Sequence, residues 1–381
     1  MPKIVIDGKE IEAREGQSVL EAAAEHGIEI PHFCFHPRLK VAGNCRMCLV
    51  ELEKVPKLQI ACGTKVAEGM VVHTRSERVM RARRAVMEFL LLQHPLDCPI
   101  CDQCGECKLQ DYCFTYGPEK SRYDFPRRRF ERMNIGPDLV RDMNRCIRCT
   151  RCIRFLRDVA GDEAFCLSER GPKTEVGTYL EKPVMNDFSL NLAEVCPVGA
   201  LTSRHFRFKG RPWLLEQVRT LCPGCSRGCN VVAWHDGSRI LRLTPAANEH
   251  VNLEWLCNPG RLTIEREQDK LRLHAESPSD ALAEAVRFLK KTDGSKVAVV
   301  VSGRLTNEDI YVIAKFARQV LGTRLIAAVE TESDERPFGP SERPLQEWFI
   351  RADKQPNSRG AAEILSAGDH VSAEELAAAI S

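Results

Sequence analysis

The sequence contains no apolar run long enough to cross a membrane. Its most apolar short segments, residues 89–92 and 297–301, fall far short of the roughly 20 residues that a spanning helix needs. The amino-terminal residues MPKIVIDGKE lack the apolar stretch and the small-residue cleavage site of a secretion signal. We therefore expect a soluble protein of the cytoplasm.

The sequence also lacks an excess of charge and the common nucleotide-binding motifs. The formal net charge is +2 and 43% of the residues are hydrophobic, so neither nucleic-acid binding nor disorder is indicated. Because it has no GxGxxG sequence and no Walker loop, we expect no nicotinamide site in this chain. No internal repeat occurs, and 381 residues are too many for one core, which predicts two to four domains.

Cysteine, by contrast, is abundant, and fifteen of the eighteen cysteines fall into four groups. Each group combines closely spaced cysteines in the manner of an iron–sulfur site, because thiolate is a soft ligand that suits iron in a sulfide cluster. The groups are Cys34, Cys45, Cys48 and Cys62; Cys98, Cys101 and Cys107, with His94 just before them; Cys146, Cys149 and Cys152 with a distant Cys196; and Cys222, Cys225 and Cys229 with a distant Cys257. The sequence therefore predicts four clusters that could conduct electrons.

Two other uses of cysteine compete with this interpretation. A disulfide framework is disfavoured, since cytoplasmic thiols stay reduced. Zinc is the stronger alternative, because CxxC pairs bind it well. Zinc sites usually take two such pairs, whereas two groups here have three close cysteines and a remote fourth, and one remote cysteine lies in Cys196-Pro197. This pattern favours clusters, and a zinc-binding scaffold without redox function remains the alternative from another class.

The third group has the pattern of a ferredoxin module that has lost one cluster. Two-cluster bacterial ferredoxins carry two C-x2-C-x2-C-x3-C-P runs, and the fourth cysteine of each run serves the other cluster. If Cys196 ends the second run, its predecessors should be cysteines, but they are Asn186, Ser189 and Leu192, and the first run ends in Leu156. All four ligands of one [4Fe–4S] cluster are thus missing, while all four of its partner are present.

The spacing defines the other groups to different degrees. The first keeps the order of a [2Fe–2S] ferredoxin, and the fourth suits a [4Fe–4S] cluster. In the second, Cys98, Cys101, Cys104 and Cys107 recur every three residues, so either four thiolates or His94 with three thiolates could hold a cluster. Spacing alone leaves these two possibilities open. Cys104, Cys113 and Cys166 stay unassigned, and a buried or idle thiol is the ordinary expectation for each.

Local patterns predict the elements around these groups. Residues 3–7 and 10–14 form a hairpin at Asp7-Gly8, Ser18 begins a helix that ends near Gly27, and three strands follow at 47–53, 58–61 and 71–74. This order resembles a plant-type ferredoxin, a β-grasp fold. A helix is predicted at 76–93, and residues 117–137 read as a polar connector.

The last hundred residues have a different character. Helices are predicted at 281–291 and 307–321, strands at 296–301 and 325–329, a loose loop at 331–343 and a short helix near 374–380. The strand–helix–strand part is one βαβ unit, the start of a doubly wound domain. One unit cannot complete such a domain, so we expect this α/β region to be truncated or degenerate.

The four groups in this order resemble the G subunit of bacterial NADH:quinone oxidoreductase, respiratory complex I, which is homologous to the mitochondrial 75-kDa subunit. The segments that carry the resemblance are HPLDCPICDQCGEC, NRCIRCTRCIRFLRDVAG, EVCPVGALTS and FRFKGRPWLL. It covers residues 1 to about 270 with high specificity and 275–381 weakly, as a short form of that subunit.

The resemblance implies a ligand set and a cluster inventory. It assigns His94, Cys98, Cys101 and Cys107 to the second cluster. The family usually has a small residue at the position of Cys104, so this chain departs from the family pattern there. It implies one [2Fe–2S] cluster in the first group and three [4Fe–4S] clusters in the others. It also implies an α+β multidomain fold, with these divisions: a β-grasp ferredoxin domain at 1–77, a helical His/Cys cluster domain at 78–117, a bacterial-ferredoxin-like domain at 138–213, a small molybdopterin-oxidoreductase-type cluster domain at 214–272, and a truncated α/β domain at 275–381.

The resemblance further implies partners and a role. In the family, a flavoprotein subunit oxidises NADH on FMN, and electrons then pass through the first, third and second clusters towards quinone. The expected partners are that flavoprotein and other peripheral-arm subunits, with no nucleic acid and with membrane contact only through the complex, on its cytoplasmic face. We expect no FMN or molybdopterin in this chain, since Cys257-Asn258-Pro259-Gly260 lacks the lysine of catalytic relatives. No side chain is expected to act as an acid, base or nucleophile.

One alternative lies within the same broad class. The electron-transfer subunits of NAD-linked hydrogenases and formate dehydrogenases share the first three groups, and formate dehydrogenases also share the fourth. The absence of a complete catalytic domain argues against formate oxidation by this chain.

Overall fold

A computed structural model of the chain describes residues 1–268, 278–329, 343–368 and 370–380. The chain divides into two compact units, Met1–Leu215 and Glu216–Ser381. Among the described residues, none of the helices combines the length and the apolar character that a bilayer crossing requires.

A five-stranded mixed sheet begins the first unit. Its strands are β1 (Lys3–Ile6), β2 (Lys9–Glu12), β3 (Leu49–Leu52), β4 (Gln59–Ile60) and β5 (Val71–His73). They lie in the order β2-β1-β5-β3-β4, with only β1 and β5 parallel. Asp7 and Gly8 both have positive φ, 49° and 83°, as a tight turn between twisted strands demands. The predicted hairpin and the three following strands are confirmed.

Two capped helices accompany this sheet. Helix α1 (Val19–Glu25) starts with a capping box, in which Ser18 Oγ accepts from Glu21 N and the Glu21 carboxylate accepts from Ser18 N. Helix α2 (Glu77–Leu91) begins where Ser76 Oγ accepts a hydrogen bond from Val79 N, and it ends just before His94-Pro95. Apolar residues of α1 and the strands form one core, which also encloses Cys48 and Cys62.

The rest of the first unit is built from short elements. They are α3 (Lys108–Tyr116), β6 (Arg132–Asn134), β7 (Leu139–Asp142), α4 (Arg151–Arg154), β8 (Phe165–Ser168), β9 (Glu175–Thr178), α5 (Asn191–Val195) and β10 (Leu201–Ser203). Strands β10, β7 and β6 form one antiparallel sheet, and β8 pairs with β9. The predicted connector at 117–137 therefore ends in a strand, because β6 pairs along the edge of β7.

The second unit opens with an antiparallel sheet. Strands β11 (Glu216–Leu221), β12 (Asn230–His235) and β13 (Ile240–Pro245) are adjacent in chain order. Two short helices follow, α6 (Asn258–Arg261) and α7 (Thr263–Gln268). The loop between β11 and β12 carries three cysteines of the fourth group, and Cys257 immediately precedes α6.

The remaining elements include the predicted βαβ unit. They are α8 (Pro278–Lys291), β14 (Val299–Val301), α9 (Asn307–Phe316), β15 (Ile326–Ala328), α10 (Leu345–Trp348), α11 (Ser358–Ser366) and α12 (Ala373–Ile380). Strands β14 and β15 pair in parallel, which confirms the unit, and a π-helical turn at Ala317–Leu321 extends α9 to Gly322. Nearly all of the loop predicted at 331–343 lies outside the described residues.

Candidate metal centres

The thiols of the first group contact one another beside the five-stranded sheet. Cys34 forms side-chain hydrogen bonds with Cys45 and Cys62, and Cys48 forms one with Cys62. Cys34 N also donates to Cys45 Sγ at 3.5 Å. The hydrogen bond to Cys34, together with burial, raises the pKa of Cys45. The hydrogen bonds from Cys45 and Cys62 lower the pKa of Cys34, and the hydrogen bond from Cys62 lowers that of Cys48. All four predicted ligands are therefore brought together.

The third group lines a narrow pocket in the first unit. Cys146, Cys149, Cys152 and Cys196 share this pocket with apolar side chains such as Met143 and Leu201. Burial raises the pKa of Cys146, Cys149 and Cys196 to about 11. Protons would leave these sulfurs at neutral pH only if a cation took their place, which is what a metal centre supplies.

The positions of the missing ferredoxin ligands are filled by packed residues. Leu156, Ser189 and Leu192 are completely buried, and Asn186 is nearly so. Asn186 Nδ2 donates to Asp162 Oδ2 at 3.0 Å, and Asn186 Oδ1 accepts from Phe188 N at 2.8 Å. Hydrogen bonds and apolar packing thus occupy the region where a two-cluster ferredoxin would hold its other cluster.

The second group lies between α2 and α3 and is more open. Cys98 is exposed and starts a helical turn at Cys98–Ile100, whereas Cys107 caps α3. Burial raises the pKa of Cys98, and the neighbouring thiols of Cys104 and Cys101 add to the effect. Cys104 therefore lies among the predicted ligands, as its spacing allowed.

His94 occupies a buried position near charged residues. Burial and the nearby charge of Arg145 lower its pKa to about 4, while the charge of Asp97 opposes the shift. The imidazole is therefore neutral at pH 7, and neutral imidazole is the form that ligates metals. The geometry leaves both candidate ligand sets of this site as predictions.

The fourth group is buried within the second unit. Cys222 N donates to Cys229 O at 2.8 Å, which closes the loop that follows β11, and Gly260 N donates to Cys257 Sγ at 3.3 Å. Burial raises the pKa of Cys222 to about 11 and that of Cys257 to about 12. The remaining two thiols, of Cys225 and Cys229, are buried beside them.

Arg227 anchors this fourth loop, and sequence reasoning missed it. Its side chain is 1% exposed, and it donates to Phe349 O at 2.5 Å and to Trp348 O at 2.6 Å. Ser226 N also donates to Asp353 O at 2.9 Å. A basic residue between the second and third cysteines was the only available signal, and a sequence alone does not show whether such a residue faces solvent or the interior.

The donor chemistry of these groups fits iron–sulfur clusters. All eighteen cysteines are free, and the four groups supply soft sulfur donors, most of them buried. In the parts of the chain that the structure describes, no three His, Cys, Asp or Glu side chains are arranged to hold a single metal ion. A cluster spreads its ligands more widely than one ion does, because several iron and sulfide atoms lie between them.

Two glycines leave room for sulfur atoms at these sites. A Cβ at Gly199 would stand 2.3 Å from Cys101 Sγ, and a Cβ at Gly260 would stand 2.9 Å from Cys222 Sγ and 3.2 Å from Cys257 Sγ. Neither glycine has a positive φ, so a residue with a side chain would be disfavoured there by its contact with sulfur and not by its backbone conformation. The backbone therefore approaches the sulfurs more closely than any residue with a side chain would allow.

Gly199→Ala provides a test of whether Cys101 is a fixed ligand. A free thiol would rotate away from the added methyl group, but a sulfur bound to iron cannot, so we expect the variant to lose most of its second cluster. Iron analysis and EPR of the reduced protein measure this loss. A variant with a full second cluster would show that Cys101 does not bind iron.

Comparison with known families agrees with the positions of the four groups. Residues 2–77 match the 2Fe-2S iron-sulfur cluster binding domain, and residues 83–122 match the NADH-ubiquinone oxidoreductase-G iron-sulfur binding region. Residues 136–202 match the ferredoxin-like domain of NADH-quinone oxidoreductase subunit 3, and residues 215–269 match the molybdopterin oxidoreductase Fe4S4 domain. The fold and the sites thus define an iron–sulfur protein of the electron-transfer class, with ferredoxin-type and Fe4S4 domains.

The chain belongs to the family of the NADH-quinone oxidoreductase G subunit. It is 41% identical over 333 residues to the G subunit of Rickettsia conorii and 42% identical over 335 residues to that of Rickettsia felis. Each alignment covers 85% of this chain and 50% of the relative. The chain therefore spans about half the length of the curated relatives that it matches.

A solved structure of another enzyme is also similar. A chain from the crystal structure of an NAD+-reducing [NiFe]-hydrogenase in the H2-reduced state is 32% identical, with a TM-score of 0.51. The match covers 55% of this chain and 90% of the hydrogenase chain. A substantial part of this fold thus also occurs in a hydrogenase chain.

Proposed function

We propose that this protein is the iron–sulfur electron-transfer subunit of an NADH:quinone oxidoreductase and relays single electrons from a flavoprotein partner towards quinone. The observation that carries the proposal is the gathering of buried thiols into separate sets, each inside a segment that matches an iron–sulfur family. Family membership supports the direction of electron flow, which the chain's own residues do not specify.

The proposed inventory is one [2Fe–2S] cluster and three [4Fe–4S] clusters. The first is held by Cys34, Cys45, Cys48 and Cys62; the second by His94, Cys98, Cys101 and Cys107; the third by Cys146, Cys149, Cys152 and Cys196; and the fourth by Cys222, Cys225, Cys229 and Cys257. Matches to a 2Fe-2S domain and to 4Fe-4S domains support the cluster types. The neutral state of His94 supports its place in the second set.

We propose domain boundaries that follow these clusters: a β-grasp ferredoxin domain at 1–77, a helical His/Cys domain at 78–117, a ferredoxin-like domain at 138–213, a small Fe4S4 domain at 214–272, and a partial α/β domain from 275. The mixed five-stranded sheet supports the first boundary, and the parallel β14–β15 pair supports the last domain. The complex is proposed to lie on the cytoplasmic face of a membrane, which this chain contacts only through partners.

The bound clusters supply one-electron chemistry, and the protein controls their environment. Cysteine side chains hold the iron, and burial of the third and fourth groups keeps water away from the sulfurs. Because no proton transfer is required, no residue of the chain is assigned as an acid, base or nucleophile. No flavin or molybdopterin is assigned to the chain; Asn258 stands buried directly after Cys257, where catalytic molybdenum relatives have a lysine nearby.

The hydrogenase resemblance favours a second candidate, an electron-transfer subunit of an NAD-linked hydrogenase. Both candidates receive or deliver electrons through a flavoprotein that handles NADH. They differ in the partner at the other end, so co-purification of the intact complex with either a quinone-binding arm or a hydrogenase module distinguishes them.

The role of relay predicts how the clusters are reduced. The isolated chain should be reduced by dithionite but not by NADH, because we assign no nicotinamide site to it. Addition of the NADH-oxidising flavoprotein of the same complex should permit reduction by NADH, followed by EPR or by bleaching of visible absorbance. Direct reduction of the isolated chain by NADH would contradict the proposal, as would a chain that the flavoprotein cannot reduce.

A further inference from the structure

Helix α4 places two buried arginines between the first and third cysteine groups. Arg151 and Arg154 are each 6% exposed, and both belong to the segment that carries Cys149 and Cys152. Long basic side chains are seldom buried without a compensating group. The groups that surround Arg151 and Arg154 should therefore include partners that compensate for the burial of their charges.

Arg154 joins ligand residues of the two sites directly. Its Nη2 donates to Cys34 O at 2.5 Å and to Cys149 O at 3.3 Å. Its Nη1 donates to Lys40 O at 2.5 Å, within the loop that follows Cys34. One guanidinium therefore bridges the backbone of a first-group ligand and that of a third-group ligand.

Arg151 makes a parallel connection. It donates through Nη2 to Phe35 O, next to Cys34, and through Nη1 to Val195 O at 3.3 Å, next to Cys196. Its Nε is buried and has no hydrogen-bond partner, so one charged donor remains available. A third link lies nearby, since Asn44 Nδ2 donates to Arg148 O at 3.2 Å.

The charges of the two arginines need an anion. Within the described residues, neither Arg151 nor Arg154 forms a salt bridge with a carboxylate, and the hydrogen bonds described above all go to neutral backbone carbonyl oxygens beside the cysteines of the two groups. Burial of a cation without a compensating anion is unfavourable, because the cation loses its hydration. Thiolate-ligated clusters on both sides would provide the missing negative charge.

We propose that Arg151 and Arg154 form a cationic bridge that raises the reduction potentials of the first and third clusters and holds their loops in register. The inference rests on the proposed function only in requiring that both clusters be present. Reduction adds an electron to an already anionic cluster, so a buried cation nearby favours the reduced form. The bridge thereby helps both clusters to accept electrons, and it acts on the pair instead of on one site.

The test is an EPR-monitored redox titration of the whole chain, prepared without oxygen. Arg151→Gln and Arg154→Gln remove one charge each while keeping polar side chains. For each, we expect the equilibrium constant for reduction of both clusters to fall about tenfold, which is about 59 mV for a one-electron couple. Arg151→Lys and Arg154→Lys keep the charge and should stay near the native potentials.

Arg157→Gln is the matched control. Arg157 lies three residues beyond Arg154, its side chain is 51% exposed, and it pairs with Asp158 at 2.8 Å, so its removal should leave both potentials unchanged. Intact clusters at native potentials in both glutamine variants would overturn the inference. Loss of both clusters in the glutamine variants with retention in the lysine variants would support the role in holding the loops and would overturn the effect on the potentials. A wild-type chain without clusters would instead refute the proposed function.

Discussion

Replacing Cys196 with alanine should remove the third cluster completely and unfold the region around residues 140–200. Cys196 follows α5 and is the only ligand of its set far from the other three in sequence, so the cluster is the bond that joins these segments. Metal binding is coupled to folding, because the unfolded chain has no preformed site for the metal. The iron content should fall by about four atoms per chain.

The first cluster should survive this substitution, because its sheet has its own hydrophobic core. Circular dichroism, iron analysis and EPR of the reduced protein measure the three expected effects. The matched control is Cys166→Ala: Cys166 is half-buried in β8 of the same region and is assigned to no cluster, so its loss should leave every signal in place. An unchanged third cluster in Cys196→Ala would show that the ligand assignment is wrong.

His94→Ala should abolish the second cluster, whereas Cys104→Ala should leave it intact. The two residues are the competing fourth ligands of this site. Burial lowers the pKa of the His94 imidazole to about 4, so the ring is neutral at pH 7 and able to bind iron. The expected loss is again about four irons per chain, together with the EPR signal of one cluster.

The contrast between the two variants decides the assignment. If Cys104→Ala loses the cluster and His94→Ala retains it, four thiolates form the site. His94→Cys adds a further arm: an imidazole ligand changes cluster charge, as in Rieske centres, so its replacement by thiolate should lower the midpoint potential if a cluster forms. A cluster with an unaltered potential in His94→Cys would exclude histidine as its ligand.

The elements that follow from local chemistry were predictable from the sequence. Asp7-Gly8 defines the first hairpin, because both positions need positive φ, and Ser18 and Ser76 begin helices where their hydroxyls accept backbone hydrogen bonds. The cysteine groups were predictable for a similar reason, since cluster ligands recur at short spacings. The loss of one ferredoxin cluster was also predictable, because the positions of its ligands hold other residues. Two of these residues, Leu156 and Leu192, are core residues in the structure.

Features that depend on tertiary contacts were not predictable. Arg151, Arg154 and Arg227 look like solvated residues in the sequence, yet each is buried and bonded to carbonyl groups of distant segments. Strand β6 was missed because it is a short, polar edge strand that exists by pairing with β7. The space beside Cys101 is likewise set by Gly199, which lies far along the chain.

The most direct test of this account is iron quantification combined with EPR on the whole chain, purified without oxygen. The account predicts a brown protein with about fourteen irons, corresponding to one two-iron and three four-iron clusters, which dithionite reduces to paramagnetic states. A colourless protein with stoichiometric zinc and no signal on reduction would contradict it.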